Sequence, residues 1–211
     1  MTTATTTATG RTATKGEHTR QAIVRMAMVQ AMEVGLEGLS LGVLAAALAL
    51  SKSGLFAHFR SKQALQLAVL EEAVERFFDG VIAPALTRPR GEPRVRALFE
   101  NKLRWLWTDD SSPGCFFLAL SQEYDDRPGP IRDAVVKSLR DWRAVQARAV
   151  ALAVKERHFR DDLDPEQFVF ELAGIDAAFI QSKALLEDGT AAARARRAFE
   201  RLLESARRGP R

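Results

Sequence analysis

The sequence predicts an all-α protein, and three observations carry that expectation. Apolar residues recur at three- and four-residue spacing along most of the chain. Clusters of Pro, Gly and Asp divide it into helix-length pieces, and no segment shows period-two alternation bounded by turns. The composition fits a globular protein: 211 residues, 46% apolar and 27% charged, with 13 Gly and 8 Pro. It is too apolar for a wholly disordered chain and too poor in Gly and Pro for a fibrous one.

Residues 1–15, a Thr/Ala run without apolar periodicity, read as a disordered arm. The first helix is expected from about Glu17, carrying Ile23, Met26, Ala27, Ala31 and Val34, with Gly35 placed to end it. Ser40 is a good N-cap for a short second helix, Leu41 to about Leu48, and Ser51 for a third, Lys52 to about His58. Ser61 caps a fourth, with Leu65, Ala68, Val69, Ala73 and Phe77 on one stripe until Pro84. Five further helices are expected over 93–108, 115–124, 130–157, 165–187 and 190–207. There is no internal repeat.

The longest uncharged apolar stretch, Leu41 to Leu50, is ten residues, well short of the ~20 that a bilayer requires. The N-terminus lacks the apolar centre of a secretory signal, and one cysteine, Cys115, makes no intrachain disulfide. A cytoplasmic protein is the expectation. No G-x-S-x-G, G-x-x-x-x-G-K-[ST], H-E-x-x-H or C-x-x-C is present. His18, His58 and His158 lie far apart, and the pairs Asp109-Asp110, Asp125-Asp126 and Asp161-Asp162 fall beside helix ends, where capping explains them. The expectation is therefore no catalytic residue, no metal and no cofactor.

Charge is unevenly placed. Residues 1–62 hold seven bases and three acids, whereas residues 63–211 hold 24 of each, so the whole net charge of +4 sits in the first third. That points to an N-terminal part facing a polyanion and a neutral remainder. In the same stretch, two helices of about two turns are joined by Ala49-Leu50-Ser51 and must pack on the first helix. Leu41, Leu44, Ala45 and Leu48 with Leu55 and Phe59 supply that core. This is the layout of a helix-turn-helix, whose second helix enters a major groove. Lys52, Ser53, Gly54, Ala57 and His58 are short or basic, as close approach to DNA requires.

The run from Leu50-Ser51-Lys52-Ser53-Gly54-Leu55-Phe56-Ala57-His58-Phe59-Arg60-Ser61-Lys62 to Leu65, with Leu39-Ser40-Leu41 and Leu44-Ala45 before it, resembles the DNA-binding signature of tetracycline-repressor-type (TetR family) regulators. The close match covers about residues 19–69. A second stretch, Gly114-Cys115-Phe116 with Glu123-Tyr124-Asp125-Asp126-Arg127-Pro128-Gly129-Pro130, looks like one found in a subset of these proteins.

The resemblance implies a homodimer of about nine helices per subunit, binding a palindromic operator and a small effector. It divides the chain into the arm at 1–15, a DNA-binding head at 16–62 and an effector-binding and dimerisation body at 63–211. It places Thr19, Arg20, Ser40, Gly42, Ser51, Lys52, Ser53, Gly54, Phe56, His58 and Lys62 at the DNA surface, with Lys62 on a phosphate. Two positions depart from the family pattern. Phe56 stands where Tyr is usual, and Ala49 where the turn usually has Gly.

In the body, Trp105, Cys115, Phe116, Tyr124 and Trp142 are the candidates for an effector cavity, most of the remaining aromatics being core. Phe168, Leu172, Ile175, Phe179 and Leu186, continued by Phe199 and Leu202, form an apolar stripe expected to pair two subunits as a four-helix interface. The function expected is a ligand-responsive transcription regulator, most often a repressor. The alternative is a helical small-molecule-binding protein or enzyme with a vestigial head.

Overall fold

A computed structural model describes residues 14–106 and 116–208. The arm up to residue 13 and Cys115 lie outside them. Among the described residues the fold is all-helical, with nine helices and no strand beyond a single bridge between Phe159 and Arg207.

Helix α1 (Lys15–Val34) begins earlier than the apolar pattern indicates, because Thr14 and Glu17 form a reciprocal capping box that uses two N–H groups lacking helical partners. Helices α2 (Leu41–Ala47) and α3 (Lys52–His58) are capped by Ser40 and Ser51, whose hydroxyls accept from the N–H of Val43 and Gly54. The turn between them is a Schellman motif: Leu50 N–H donates to Ala45 O at 2.8 Å and Ala49 N–H to Ala46 O at 3.1 Å. It needs a left-handed residue, and Ala49 takes φ 52°.

Helix α4 (Lys62–Phe77) does not stop before Pro84. It runs on through a π turn (Phe78–Ile82) and a last turn (Ala83–Leu86). The Ala83 N–H reaches back to Phe78 O, so the widened turn makes room for a proline ring that an α-helical interior would reject. Helices α5 (Glu92–Trp105), α6 (Phe116–Glu123), α7 (Pro130–Lys155), α8 (Pro165–Ile180, extended by a π turn Gln181–Leu185) and α9 (Ala191–Ala206) complete the chain.

Two cores organise these helices. One joins α1, α2 and α3 to the first half of α4 and to Leu120, Tyr124, Ile131 and Val135. The other is built from α5, the second half of α7, α8 and α9, with Phe99 stacked on Phe199 at 3.9 Å. The apolar stripe assigned to a subunit interface belongs mainly to this second core. Phe168, Leu172, Phe179, Phe199 and Leu202 are all buried within the chain, whereas Leu186 is exposed and Ile175 half-buried. Periodicity identifies a buried face but not which chain covers it; here α5, α7, α8 and α9 cover one another. On the outward side of α8 and α9, Ile175, Phe179 and Leu202 of the stripe also line a shallow hollow together with the small residues Gly174, Ala178, Ala195 and Ala198.

The ends of α5 and α9 are tied by ions. Glu92 accepts from Arg207 at 2.6 Å and from Arg96 at 2.7 Å. The Arg207 hydrogen bond, reinforced by Arg96 against a smaller opposing effect of burial, holds the Glu92 carboxyl down at about 2.

Two outcomes follow. Ala49→Gly relieves the left-handed strain and raises stability by about 0.5–1 kcal/mol after the added freedom of the unfolded chain is subtracted; urea denaturation reads it, and no gain would mean an unstrained turn. Glu92 is depressed in the folded state, so its stabilisation is complete above its ordinary value of 4.5 and is lost as pH falls toward 2. The stability gap between wild type and Glu92→Gln should therefore be widest near neutral pH and narrow through that acid window.

Candidate functional site

The axes of α2 and α3 turn by 103° across their joint, within the range of a helix-turn-helix pair. Leu44, Ala45, Leu55 and Phe59 are buried beneath them, so the opposite faces point outward. That outward surface gathers most of the head residues singled out in the sequence. Ser51, Lys52 and Ser53 are exposed at the start of α3, with the Ser51 and Ser53 hydroxyls 3.0 Å apart. The Lys52 stem passes the start of α2, its Cε 3.6 Å from where a Cβ on Gly42 would stand. Phe56 is 45% exposed and His58 half-buried. Val43 on α2 is also exposed, at 56%, and an isolated apolar residue of this kind carries no sequence signal.

Three head residues also make contacts within the chain. The Arg20 guanidinium lies 4.8 Å above the Phe59 ring, pinning α1 to the end of α3. The Thr19 hydroxyl donates to Lys15 O at 3.0 Å. The Lys62 ammonium donates to the Glu37 carbonyl and stands 3.7 Å from the Glu37 carboxylate, so it braces the turn after α1.

That turn is the junction between head and body. Its N–H groups continue α1 without helical partners, and the Glu123 carboxylate supplies them from the end of α6. Leu36 N–H donates at 3.1 Å and Glu37 N–H at 2.7 Å. An acid in the last turn of its own helix opposes that helix dipole, so its placement is explained by what it reaches. Gly35 suits its φ of 75°, and a Cβ there would fall 2.9 Å from both Glu123 carboxylate oxygens and displace the carboxylate. Gln66 of α4, buried, donates to Leu36 O at 2.8 Å, and Tyr124 donates to Glu37 Oε1 at 3.1 Å. Burial first, then the neighbouring Glu37 and Glu123 charges, drives the Tyr124 hydroxyl well above its ordinary value, so it stays a donor.

The other side of α6 faces a cavity of about 450 Å³ bounded by α4, α5, α6, α7 and α8. Phe77 stands edge-on to Phe117 at 5.7 Å and to Trp142 at 4.9 Å. The π turn of α4 contributes Phe78 and Ile82 to the wall. Of the aromatic candidates, Trp142 lines this space, while Trp105, Phe116 and Tyr124 are not among its described lining residues. Trp105 packs over Gly80, Phe116 leans on Phe117, and Tyr124 faces the head. Two charged lining residues were also missed: Lys102 and Asp176, paired at 2.5 Å. The signal was present, since Asp176 continues the spacing of the buried Phe168, Leu172 and Phe179.

Among the described residues no cluster of His, Cys, Asp and Glu is placed to hold a metal ion, and no single helix is long and apolar enough to cross a membrane.

Comparison with known proteins matches two family descriptions. Residues 23–69 match "Bacterial regulatory proteins, tetR family", and residues 91–199 match "Tetracyclin repressor-like, C-terminal domain". No curated protein matches the sequence. A TetR-family transcriptional regulator from Cytophaga hutchinsonii is similar in fold, with a TM-score of 0.79 at 18% identity over 95% of this chain and 100% of that one. Another from Streptomyces coelicolor gives 0.78 at 19% identity, covering 89% and 95%. AibR, solved in complex with isovaleryl coenzyme A and operator DNA, gives 0.66 at 18% identity, covering 87% and 95%.

Removing the junction carboxylate has a defined consequence. Glu123→Ala leaves the Leu36 and Glu37 amides without their partner and should cost about 1–3 kcal/mol in urea denaturation. A loss below about 0.5 kcal/mol would mean that solvent serves these amides equally well.

Proposed function

The chain belongs to the tetR family of bacterial regulatory proteins, and from that premise we propose that it is a dimeric repressor released from a palindromic operator by a small effector. The observation that carries the reading is the outward face of α3, with Lys52, Ser53 and Gly54 at its start in the part of the chain that holds the net positive charge. In this reading α3 lies in the major groove. Ser53 and Gly54 approach base edges, Lys52, Ser40 and Ser51 meet phosphates, and Phe56 and Val43 supply apolar contact to sugars or thymine methyls. Gly42, His58, Thr19 and Arg20 complete the surface, with Lys62 meeting a phosphate beside the turn it holds.

The arm at 1–15 stands ahead of the head at 16–62, and the body at 63–211 carries the effector site and the subunit contact. The contact is drawn from the outward side of α8 and α9, where Ile175, Phe179 and Leu202 line the hollow of small residues and Leu186 is exposed. The effector occupies the cavity beside Trp142. Phe117, Leu118 and Ser121 of α6 line that cavity, while Glu123 holds the head two residues further on. A ligand that shifts α6 therefore alters the angle of both α3 helices. It acts only through its different affinity for the two arrangements.

Footprinting on DNA flanking the gene tests the reading. It should protect an inverted repeat whose half-sites lie ~34–36 Å apart, or a multiple of it. Lys52→Ala should weaken binding to operator and random duplex alike and reduce the salt dependence by ~1 per site per subunit. Gly54→Val should lower operator affinity more than random-duplex affinity. Unchanged binding by both variants would remove α3 from the groove and the function with it.

A further inference from the structure

We propose that the cavity takes an effector with an apolar body and no net charge, ending in a hydroxyl or carbonyl group. The inference rests on reading this cavity as the effector site, and it comes from the charges in the wall. Lys102 and Asp176 are paired at 2.5 Å with side chains only 12% and 8% exposed, so within the cavity they cancel. The Lys102 ammonium also stands 5.5 Å above the Trp142 ring. The remaining charges among the described lining residues, Asp141 and Arg143, are exposed and opposite in sign; Asp141 is paired with Lys137 at 2.6 Å.

The other polar groups are few and neutral. Ser121 donates to Leu118 O at 2.7 Å and Ser138 to Ala134 O at 2.8 Å, so both hydroxyl protons are turned back onto their own helices. Gln146, buried, offers an amide. Val74, Phe77, Leu139, Val145 and Ile180 make the remaining wall apolar.

A charged ligand therefore meets an obstacle that a neutral one avoids. A carboxylate that drew Lys102 to itself would leave Asp176 buried and unpaired, and an ammonium drawn to Asp176 would strand Lys102. A carbonyl accepts from a remaining Lys102 N–H, and a hydroxyl donates to Asp176, with the pair intact. Neutral amphipathic molecules satisfy the site without breaking it.

Decanol, decanoic acid and decylamine, one chain with three end groups, test this by titration calorimetry on the full chain at neutral pH. Decanol should bind at least about tenfold more tightly than either charged analogue. Asp176→Asn leaves Lys102 unopposed and should move the preference to decanoic acid, and Lys102→Met should move it to decylamine. Should either single variant unfold, K102M/D176L keeps the wall neutral and should keep the decanol preference. A charged analogue that binds wild type as tightly as decanol, or no binding of decanol, overturns the proposal. Ala173→Trp fills the cavity and separates the two readings. If it blocks binding while the charge order fails, only the charge inference falls; if decanol binds Ala173→Trp unchanged, the cavity is not the site and both readings fall.

Discussion

The arrangement of this molecule depends on one carboxylate serving two amides across a domain junction. Beyond the last turn of α1 the backbone N–H groups no longer find helical acceptors, and Glu123, from another part of the chain, accepts from both Leu36 and Glu37. The bond restrains direction as well as distance, since two donors on successive residues meet two oxygens of one planar group. Lys62, Gln66 and Tyr124 grip the same turn from α4 and from the segment after α6, so four side chains converge on two residues, Leu36 and Glu37. In the proposed mechanism, this seating turns a small displacement of α6 into a rotation of α3.

Local rules are broken where this seating and the cavity require it. Glu123 stands at the wrong end of its helix dipole. The pair Lys102 and Asp176 is buried in a wall that apolar residues would fill without desolvation. Pro84 interrupts a helix whose π turn lines the cavity, and Ala49 holds a left-handed conformation in the turn that sets the angle of α2 to α3. Elsewhere the helix starts follow local rules, with capping hydroxyls at Ser40, Ser51 and Ser61 and an ion-tied end at Glu92.

The head was legible because its determinants are short-range. A serine three residues ahead of an N–H, an apolar pair four apart and a two-turn helix after a tight joint are all readable within a dozen residues. The body was legible in its helices and less so in its site. Spacing showed that Phe168, Leu172 and Phe179 share a face, but the identity of the covering surface depends on contacts with α5 and α9 far along the chain, and these turn that face inward. Tyr124 was a candidate for the cavity, yet its hydroxyl reaches Glu37, 87 residues away in sequence. Lys62 sits where a phosphate contact is expected, and only the fold shows Glu37 beside it. Long-range polar pairing is the information that periodicity lacks.

Amide hydrogen exchange at Leu36 and Glu37 tests the seating most directly. The account predicts that both amides are protected in the wild-type chain. In Glu123→Ala they should exchange rapidly, while amides bonded within α2, such as Leu48 to Leu44 O, keep their protection. Fast exchange at Leu36 and Glu37 in the wild type, or equal protection after Glu123 is removed, would contradict it: the head would then be held by apolar packing alone, with no carboxylate linking the cavity helix to it.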